Sequence, residues 1–199
     1  MIKVENIDVW GFEHAIRGMR NPMNSWAKSD SRTCGFDTVI GSNDLDLMRR
    51  LFKAGTEHRK YLRQIFVSMD VTAPLYWWKE ADTYKVGTVA NSCSTMHKIM
   101  DHAFTADDFS FEDEDDEDIQ KILAILNKYR NAYLDSKNKQ DWYSVIKFLP
   151  EAYNQKRTLT MNYENVFTII RQRSGHKLDE WNVFVGILKN LPYVREISE

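Results

Sequence analysis

The spacing of apolar residues along the chain predicts a mixture of strands and helices. Residues 2–9 alternate between apolar and polar side chains, and residues 64–71 do the same. In the second segment four apolar residues share one face, which are Ile65, Val67, Met69 and Val71. A period of two is typical of a strand with one buried face. Pro74 ends or bends this strand, and the polar, turn-rich residues 11–34 indicate turns.

Elsewhere the apolar residues recur every three or four positions, which predicts amphipathic helices. The first is expected after an N-cap region at Ser42, Asn43 and Asp44, and Gly55 ends it. Later helices are expected around five apolar residues, which in chain order are Leu75, Ile119, Trp142, Val166 and Trp181. Few strands and several helices predict the α+β class, and the lack of an obvious linker predicts a single compact domain over residues 1–199.

Composition and charge narrow the class of function. Of the 199 residues 43% are hydrophobic, enough for a sizeable core, and the net charge of -2 gives no global attraction for DNA, RNA or an anionic membrane. No apolar run is long enough to span a bilayer and no signal-peptide core is visible, so a cytoplasmic location is expected. Cys34 and Cys93 lie far apart, which fits free thiols in a reducing compartment but leaves a disulfide open.

Nine acidic residues occupy positions 107–118. A solvated loop that leads into a helix is the simpler interpretation, since acidic side chains suit a helix N-terminus. A calcium site is the alternative, although the run has neither the glycine nor the spacing of an EF-hand loop. The five histidines show no paired ligand spacing either, so no metal is expected.

Polar side chains are densest between residues 81 and 98. They are Asp82, Thr83, Tyr84, Lys85, Thr88, Asn91, Ser92, Ser94 and His97. Hydrogen-bond donors, backbone amides and a lysine are what a phosphate or the edge of a nucleobase requires. The alternative, which composition alone favours, is a hydrophilic loop that caps helices through its Ser, Thr and Asn side chains.

A second polar cluster lies between residues 160 and 181. Asn162 begins a helical pattern, and four basic or imidazole side chains gather near its end, which are Arg171, Arg173, His176 and Lys177. Basic groups at a helix C-terminus commonly complement its dipole, and locally that interpretation is adequate. An anion site is the alternative.

Taken in order, these segments resemble the flavin-dependent thymidylate synthases. That family has a strand and a proline followed by the motif R-H-R-x-x-S. Here Pro74 follows the strand. The R-H-R places hold Thr83, Tyr84 and Lys85, and the serine place holds Thr88.

Two further motifs extend the resemblance over most of the chain. The family continues with N-E-x-S-x-R-Y, and with one inserted residue the matching positions are Asn91, Ser92, Ser94, Met96 and His97. The C-terminal matches are Thr160, Asn162, Arg173, His176 and Trp181. In the family, the asparagine and the arginine of this last segment contact flavin and nucleotide.

The resemblance implies an antiparallel sheet and a homotetramer with pockets between subunits. It also implies FAD as cofactor and dUMP as the substrate that receives a methylene group from a folate. The implied nucleotide-binding positions are Lys85, Thr88, Asn91, Ser92, Ser94 and Arg173. The implied cofactor-binding positions are Thr83, Tyr84, Asn162 and His176.

Departures from the motifs argue against an intact enzyme. Thr83 and Tyr84 replace two of the three R-H-R residues, and Lys85 keeps a charge without the planar fork of arginine. Met96 stands where the family has an arginine, and a thioether cannot bind phosphate as a cation does. We therefore predict a nucleotide-binding protein on a thymidylate synthase-like scaffold, with FAD bound weakly or not at all and with catalytic residues unknown.

Two other functions stay open. The first is an active, divergent thymidylate synthase, or a related pyrimidine-nucleotide methyl- or hydroxymethyl-transferase, that acts on dUMP. The second is a nucleotide-sequestering protein of the phage type, which would suit a chain of this size. A domain without any ligand is disfavoured, because so many polar groups persist in the motif segment.

Overall fold

The computed structural model describes residues 2–34, 37–112 and 116–199. The chain divides into two units. The smaller unit comprises Met1–Lys3, Val71–Thr83 and Asn91–Thr158, and the larger unit comprises Val4–Asp70, Tyr84–Ala90 and Leu159–Glu199. Among the described residues, no helix is both long enough and apolar enough to cross a membrane.

Strands and helices are mixed along the chain. The strands are β1 (Lys3–Trp10), β2 (Arg32–Cys34), β3 (Asp37–Val39), β4 (Phe66–Pro74), β5 (Thr88–Ser92) and β6 (Asn154–Asn162). The helices are α1 (Phe12–Arg20), α2 (Ser42–Lys53), α3 (Leu75–Ala81), α4 (Thr95–Lys98), α5 (Glu117–Ser136), α6 (Lys139–Phe148), α7 (Tyr163–Arg173), α8 (Asp179–Lys189) and α9 (Val194–Ser198). Short 3-10 turns cover Asn21–Met23, Trp26–Lys28, Lys60–Gln64 and Ala106–Asp108.

The strands form two sheets. One has the order β1-β4-β6-β5, and β2 pairs with β3 as an antiparallel ribbon in which Thr33 lies opposite Thr38. Strands β1, β4, β5 and β6 contribute residues to both units. The predicted α+β class with an antiparallel sheet is confirmed.

The core of the smaller unit lies around α5 and α6. Leu123 and Leu126 of α5 and Val145 of α6 are buried together with Phe104 and Phe109. Helix α5 follows the acidic run, and the carboxylate of Asp116 caps it by accepting a backbone N–H at 2.7 Å. Residues 113–115, on which the calcium alternative partly depends, lie outside the described residues.

The larger unit contains the predicted alternating segment. Ile65, Val67 and Met69 are all buried, as one face of a strand should be. Tyr163 of α7 and Trp181 of α8 are fully buried in the same unit. Burial raises the pKa of Tyr163, whose hydroxyl donates to a backbone carbonyl at 2.9 Å.

The expectation of turns in residues 11–34 agrees with the 3-10 turns at Asn21–Met23 and Trp26–Lys28, but it missed α1. Phe12, Ala15, Ile16 and Met19 are buried and follow the three-and-four spacing of a helix face. The turn formers that surround this short helix obscured its pattern in the sequence.

The predicted N-cap region of α2 also has a different role. The cap position is Gly41, which has no side chain, and the carboxylate of Asp30 replaces it. That carboxylate accepts the backbone N–H groups of Asn43 at 2.9 Å and Asp44 at 3.1 Å. Asp44, expected as part of the N-cap region, is completely buried.

Four strands were not predicted, which are β2, β3, β5 and β6. β5 lies within the polar segment 81–98, and its residues are mostly exposed, so no apolar alternation marks it. β6 alternates in burial, but its inward residues include Gln155 as well as Leu159 and Met161. A polar residue at an inward position removes part of the signal by which a strand is recognised.

Candidate functional site

The candidate site in the larger unit begins where β6 passes into α7. Asn162 ends β6 and caps α7, since its Oδ1 accepts the backbone N–H of Asn165 at 3.1 Å. The backbone N–H of Asn162 donates to the carbonyl oxygen of Gly87 at 3.3 Å. Gly87 has φ of 75°, and a Cβ at this position would collide with the side-chain amide of Asn162. The turn therefore requires glycine for its backbone and for this close approach.

The side chain of Asn165 ties the turn at Gly87 to the start of α7. Its Nδ2 donates to the carbonyl oxygen of Val86 and to Oγ1 of Thr88, both at 2.7 Å. Because Thr88 accepts this bond, its own hydroxyl proton is left for another acceptor. Thr88, a predicted nucleotide-binding residue, is thus held in place by α7.

At the C-terminal end of α7, Arg173 lies against two aromatic rings. Its Nε donates to the hydroxyl oxygen of Tyr84 at 2.8 Å. Its guanidinium carbon lies 4.6 Å from the ring centre of Trp181 and 5.5 Å from that of Tyr84. The Tyr84 hydroxyl in turn donates to Oε1 of Gln172 at 3.0 Å. These contacts hold the guanidinium in one position, and each ring contact contributes about 0.5–2 kcal/mol.

His176 completes this group, which we call the Arg173 cluster (Tyr84, Arg173, His176 and Trp181). Its Nε2 lies 3.0 Å from Nη1 of Arg173, and its Nδ1 lies 3.2 Å from the backbone N–H of Leu178. A neutral imidazole has a single acceptor nitrogen, so it cannot accept both bonds at once. A guanidinium nitrogen can only donate, so the 3.0 Å contact is a hydrogen bond in the tautomer whose Nε2 accepts from Arg173. The guanidinium is the charged donor group of the cluster, and it suits an anionic ligand.

The predicted residues of the larger unit come together in two groups. Tyr84, Arg173 and His176 meet in the Arg173 cluster, although 89 positions separate Tyr84 from Arg173. Asn162 and Thr88 are joined through Asn165. The side chain of Lys85 is exposed.

The other four predicted residues belong to the smaller unit. Asn91 and Ser92 are exposed on β5. Ser94 caps α4 by accepting a backbone N–H at 3.3 Å, and the hydroxyl of Thr83 donates to the carbonyl oxygen of Glu80 at 2.7 Å. Ser94 and Thr83 thus serve helix ends, as the composition-based alternative predicted.

Two residues with structural roles at the site were missed. Asn165 stands three residues after the cap at Asn162, a spacing that could have indicated a side chain near the turn. Gln172 has no sequence signal, because its bond to Tyr84 depends on the fold alone. Cys93 and Cys34 are both exposed free thiols. Within the described part of the chain, no group of three His, Cys, Asp or Glu side chains could hold a metal ion.

Comparisons with known proteins rest on structure. No family model matches the sequence, and no curated protein matches it. The fold is similar to that of flavin-dependent thymidylate synthase ThyX from Helicobacter pylori in complex with FAD and dUMP, with a TM-score of 0.76 and 15% identity over 98% of this chain and 97% of that one. A second structure of that enzyme with FAD and dUMP gives a TM-score of 0.73 and 15% identity over 100% of this chain and 97% of that one. As predicted, the chain has the fold of the flavin-dependent thymidylate synthases.

Proposed function

We propose that this chain binds a nucleotide in a pocket to which the Arg173 cluster contributes. The observation that carries the proposal is the fixed guanidinium of Arg173, bonded to Tyr84 and stacked on Trp181. A side chain that is already held loses little freedom on binding, so more of its interaction energy is available to a ligand. The ThyX structures that share this fold contain dUMP, which makes a pyrimidine nucleotide our first choice of ligand.

The chemistry of the donors suggests how the ligand is held. Parallel N–H groups of a guanidinium can engage two phosphate oxygens at once, whereas Lys85 can offer only a point charge. The hydroxyl of Thr88 is a further donor to oxygen.

The proposed pocket lies at an interface between subunits of a homotetramer. The support for this is the exposure of Lys85, a cation whose site a neighbouring subunit can complete. Oligomers of identical chains are the common way in which a small chain builds such a shared site.

Weak or absent flavin binding is part of the proposal. The groups at the family's cofactor positions are engaged within the chain: the Thr83 hydroxyl bonds to Glu80, the Tyr84 hydroxyl to Arg173, and Oδ1 of Asn162 to the first turn of α7. Because these groups bond within the chain, they do not fit the FAD site that the family resemblance implies. No reaction step is therefore assigned to a flavin.

The second candidate function is thymidylate synthesis, which the presence of FAD together with dUMP in the similar structures favours. The absorption spectrum of the purified protein separates the two candidates. A colourless protein that gains no flavin spectrum after incubation with FAD supports binding without flavin chemistry. A yellow protein that keeps stoichiometric FAD through purification would replace our proposal by the second candidate.

Calorimetric titration with dUMP tests the binding site. We expect Arg173→Ala to weaken binding by roughly ten- to a hundredfold, because a charged hydrogen bond contributes about 1.5–3 kcal/mol. Lys85→Ala should weaken binding less, since a point charge is lost rather than a fork. Arg171→Ala removes an exposed cation from the same helix and is the matched control, with affinity expected to stay unchanged.

Arg173→Lys provides a second test of the site in case the alanine variant fails to fold. It keeps the charge and most of the volume but loses the bidentate geometry, so it should still bind dUMP more weakly than the wild type. Wild-type affinity in Arg173→Ala, Arg173→Lys and Lys85→Ala alike would exclude the proposed site.

Light scattering at micromolar concentration tests the assembly. We expect the mass of a tetramer, since the proposed pocket requires groups from more than one subunit. A strict monomer that nonetheless binds dUMP would show that the pocket belongs to one chain.

A further inference from the structure

A cavity of about 210 Å³ lies in the larger unit, away from the residues of the Arg173 cluster. Its walls come from α1, from the turn at Trp26–Lys28 with the residues that follow, and from the β2–β3 ribbon. The side chains that matter for its chemistry are Ile16, Arg17, Arg20, Trp26, Ser29 and Ser31. At about 30 Å³ per water molecule, the space would hold about seven waters.

The most informative wall residue is Arg20, of which only 4% is exposed. Its Nε donates to Oδ1 of Asp44 at 2.6 Å, and its Nη1 donates to the carbonyl oxygen of Ser25 at 3.2 Å. A guanidinium has five N–H donors, so three remain. These three make no hydrogen bond to any residue that the structure describes. No nitrogen of Arg20 is among the buried side-chain atoms that lack a partner in the described part of the chain, so these donors reach accessible space, where a ligand or water can accept from them.

The carboxylate of Asp44 is already the acceptor of five hydrogen bonds. Its Oδ1 takes the bond from Arg20, and its Oδ2 already accepts from the hydroxyls of Ser29 and Ser31, both at 2.7 Å. Oδ2 also accepts two backbone N–H groups, from Asp30 and Ser31, at 3.1 Å. Oδ2 is therefore fully occupied within the protein, and water or a bound anion can accept from the remaining donors of Arg20.

The rest of the wall is divided between charge and apolar surface. Arg17 provides a second cation, and its Nη2 lies 3.3 Å from Nδ1 of His14. Ile16 is buried, and the indole of Trp26 is fixed by a 2.9 Å hydrogen bond from its Nε1 to Asn21. The wall thus offers guanidinium groups beside an aliphatic and an aromatic surface.

We propose that this cavity binds a small monocarboxylate with an apolar body. The carboxylate accepts from Arg20 and Arg17, and the apolar body packs against Ile16 and Trp26. A monoanion is preferred over a phosphate dianion, because Glu13 also lines the cavity and Asp44 already offsets the charge of Arg20. The site shares no wall residue with the Arg173 cluster, so it can be occupied independently of a nucleotide.

Arg20 also lines a second, open groove of about 440 Å³ that includes Lys28 and Arg50. An anion held on that side would contact Lys28 rather than Arg17. Variants of these two exposed residues therefore distinguish the cavity from the groove, and both avoid disturbing the buried pair of Arg20 with Asp44.

Calorimetric titration of the full chain with benzoate tests the proposal. We expect saturable binding that Arg17→Ala weakens about tenfold and that Lys28→Ala leaves within about twofold, as expected for one lost charge-assisted bond. Trp26→Ala should also weaken the binding of benzoate, since the aromatic part of the apolar wall is lost. Benzyl alcohol, which has the same ring without the charge, should bind at least about tenfold more weakly than benzoate.

Three results would overturn the proposal. One is the absence of saturation by benzoate up to about 10 mM, where any specific site would be expected to fill. Another is a loss of affinity in Lys28→Ala with none in Arg17→Ala, which would move the anion to the open groove. The third is tighter binding of inorganic phosphate than of benzoate, which would show that the apolar wall contributes nothing.

Discussion

Residues 20–44 and residues 81–98 are both polar segments, and the structure uses them differently. In the first, side chains and backbone groups converge on the carboxylate of Asp44, which accepts five hydrogen bonds. In the second, Lys85, Asn91 and Ser92 are exposed. The number of polar groups in a sequence therefore does not reveal whether they bond to one another or face solvent.

Burial accounts for the difference. Asp44 is completely buried, and a buried charge is tolerated only when it is paired and hydrogen-bonded. Arg20 and the neighbouring serines meet that requirement, so the first segment is organised around the carboxylate of Asp44. Exposed polar groups have water as a partner, and nothing obliges them to converge. They stay available for a ligand or for capping a helix.

The largest effect is expected from Asp44→Asn. The amide keeps the shape of the carboxylate but leaves the guanidinium of Arg20 buried without its counter-charge, and one end of the amide is itself a donor. Breaking a buried ion pair in this way costs about 3–5 kcal/mol. Urea unfolding at neutral pH should show this loss in the free energy of unfolding.

Asp46→Asn is the matched control for that comparison. Asp46 pairs with Arg50 at 2.9 Å one helical turn away, but both side chains are about two-thirds exposed, at 65% and 68%. Exposed pairs contribute little, so the change should stay within about 0.5 kcal/mol. Equal losses of unfolding free energy in the two variants would mean that burial does not make the pair of Arg20 with Asp44 more important for stability than the exposed pair.

A smaller effect is expected in the second segment from Gly87→Ala. A residue other than glycine costs about 1–2 kcal/mol in the left-handed region, and the new Cβ would also meet the amide of Asn162. Gly175 is the control, since its φ is 72° but an added Cβ meets nothing within 4 Å. The free energy of unfolding of Gly87→Ala should be about 1 kcal/mol lower than that of Gly175→Ala, as measured by thermal or urea unfolding. Equal costs would show that Asn162 moves aside and that the turn is not tightly packed.

Much of the fold could be predicted where one physical signal dominates. The alternation of Ile65, Val67 and Met69 predicted the strand that became β4, and the spacing around Trp181 predicted α8. Both patterns are clear because burial against a core imposes those periods. Helix α1 and strand β6 were missed. In both, polar residues or turn formers interrupt the apolar pattern, and tertiary contacts decide the structure.

The candidate site could be predicted only in part. The order of motifs led to Tyr84, Arg173 and His176, which the fold does bring together. The same motifs did not indicate that Ser94 caps a helix, since a hydroxyl has the same identity in either role. Nor did any motif indicate the buried pair of Arg20 with Asp44, whose partners lie 24 positions apart without a regular spacing.

The smallest effect concerns the pH dependence of the first segment. Burial raises the pKa of the Asp44 carboxyl, but hydrogen bonds from Ser31, Ser29 and Arg20 lower it by more, so the pKa in the folded protein lies below its ordinary value. A carboxyl with a lowered pKa binds fewer protons folded than unfolded, and it therefore stabilises the fold above the unfolded pKa, which is about 3.9. That contribution is lost as the pH falls through the folded pKa.

The Asp44→Asn variant isolates this dependence, because every other carboxylate titrates in both proteins. The difference in unfolding free energy between wild type and variant should be constant from neutral pH down to about pH 5, and should shrink as the pH falls below about 4. Urea unfolding at a series of pH values measures it. A difference that instead grows on acidification would mean that the folded state raises the pKa of Asp44. Burial would then outweigh the hydrogen bonds, and the first segment would hold its carboxylate at a cost to stability.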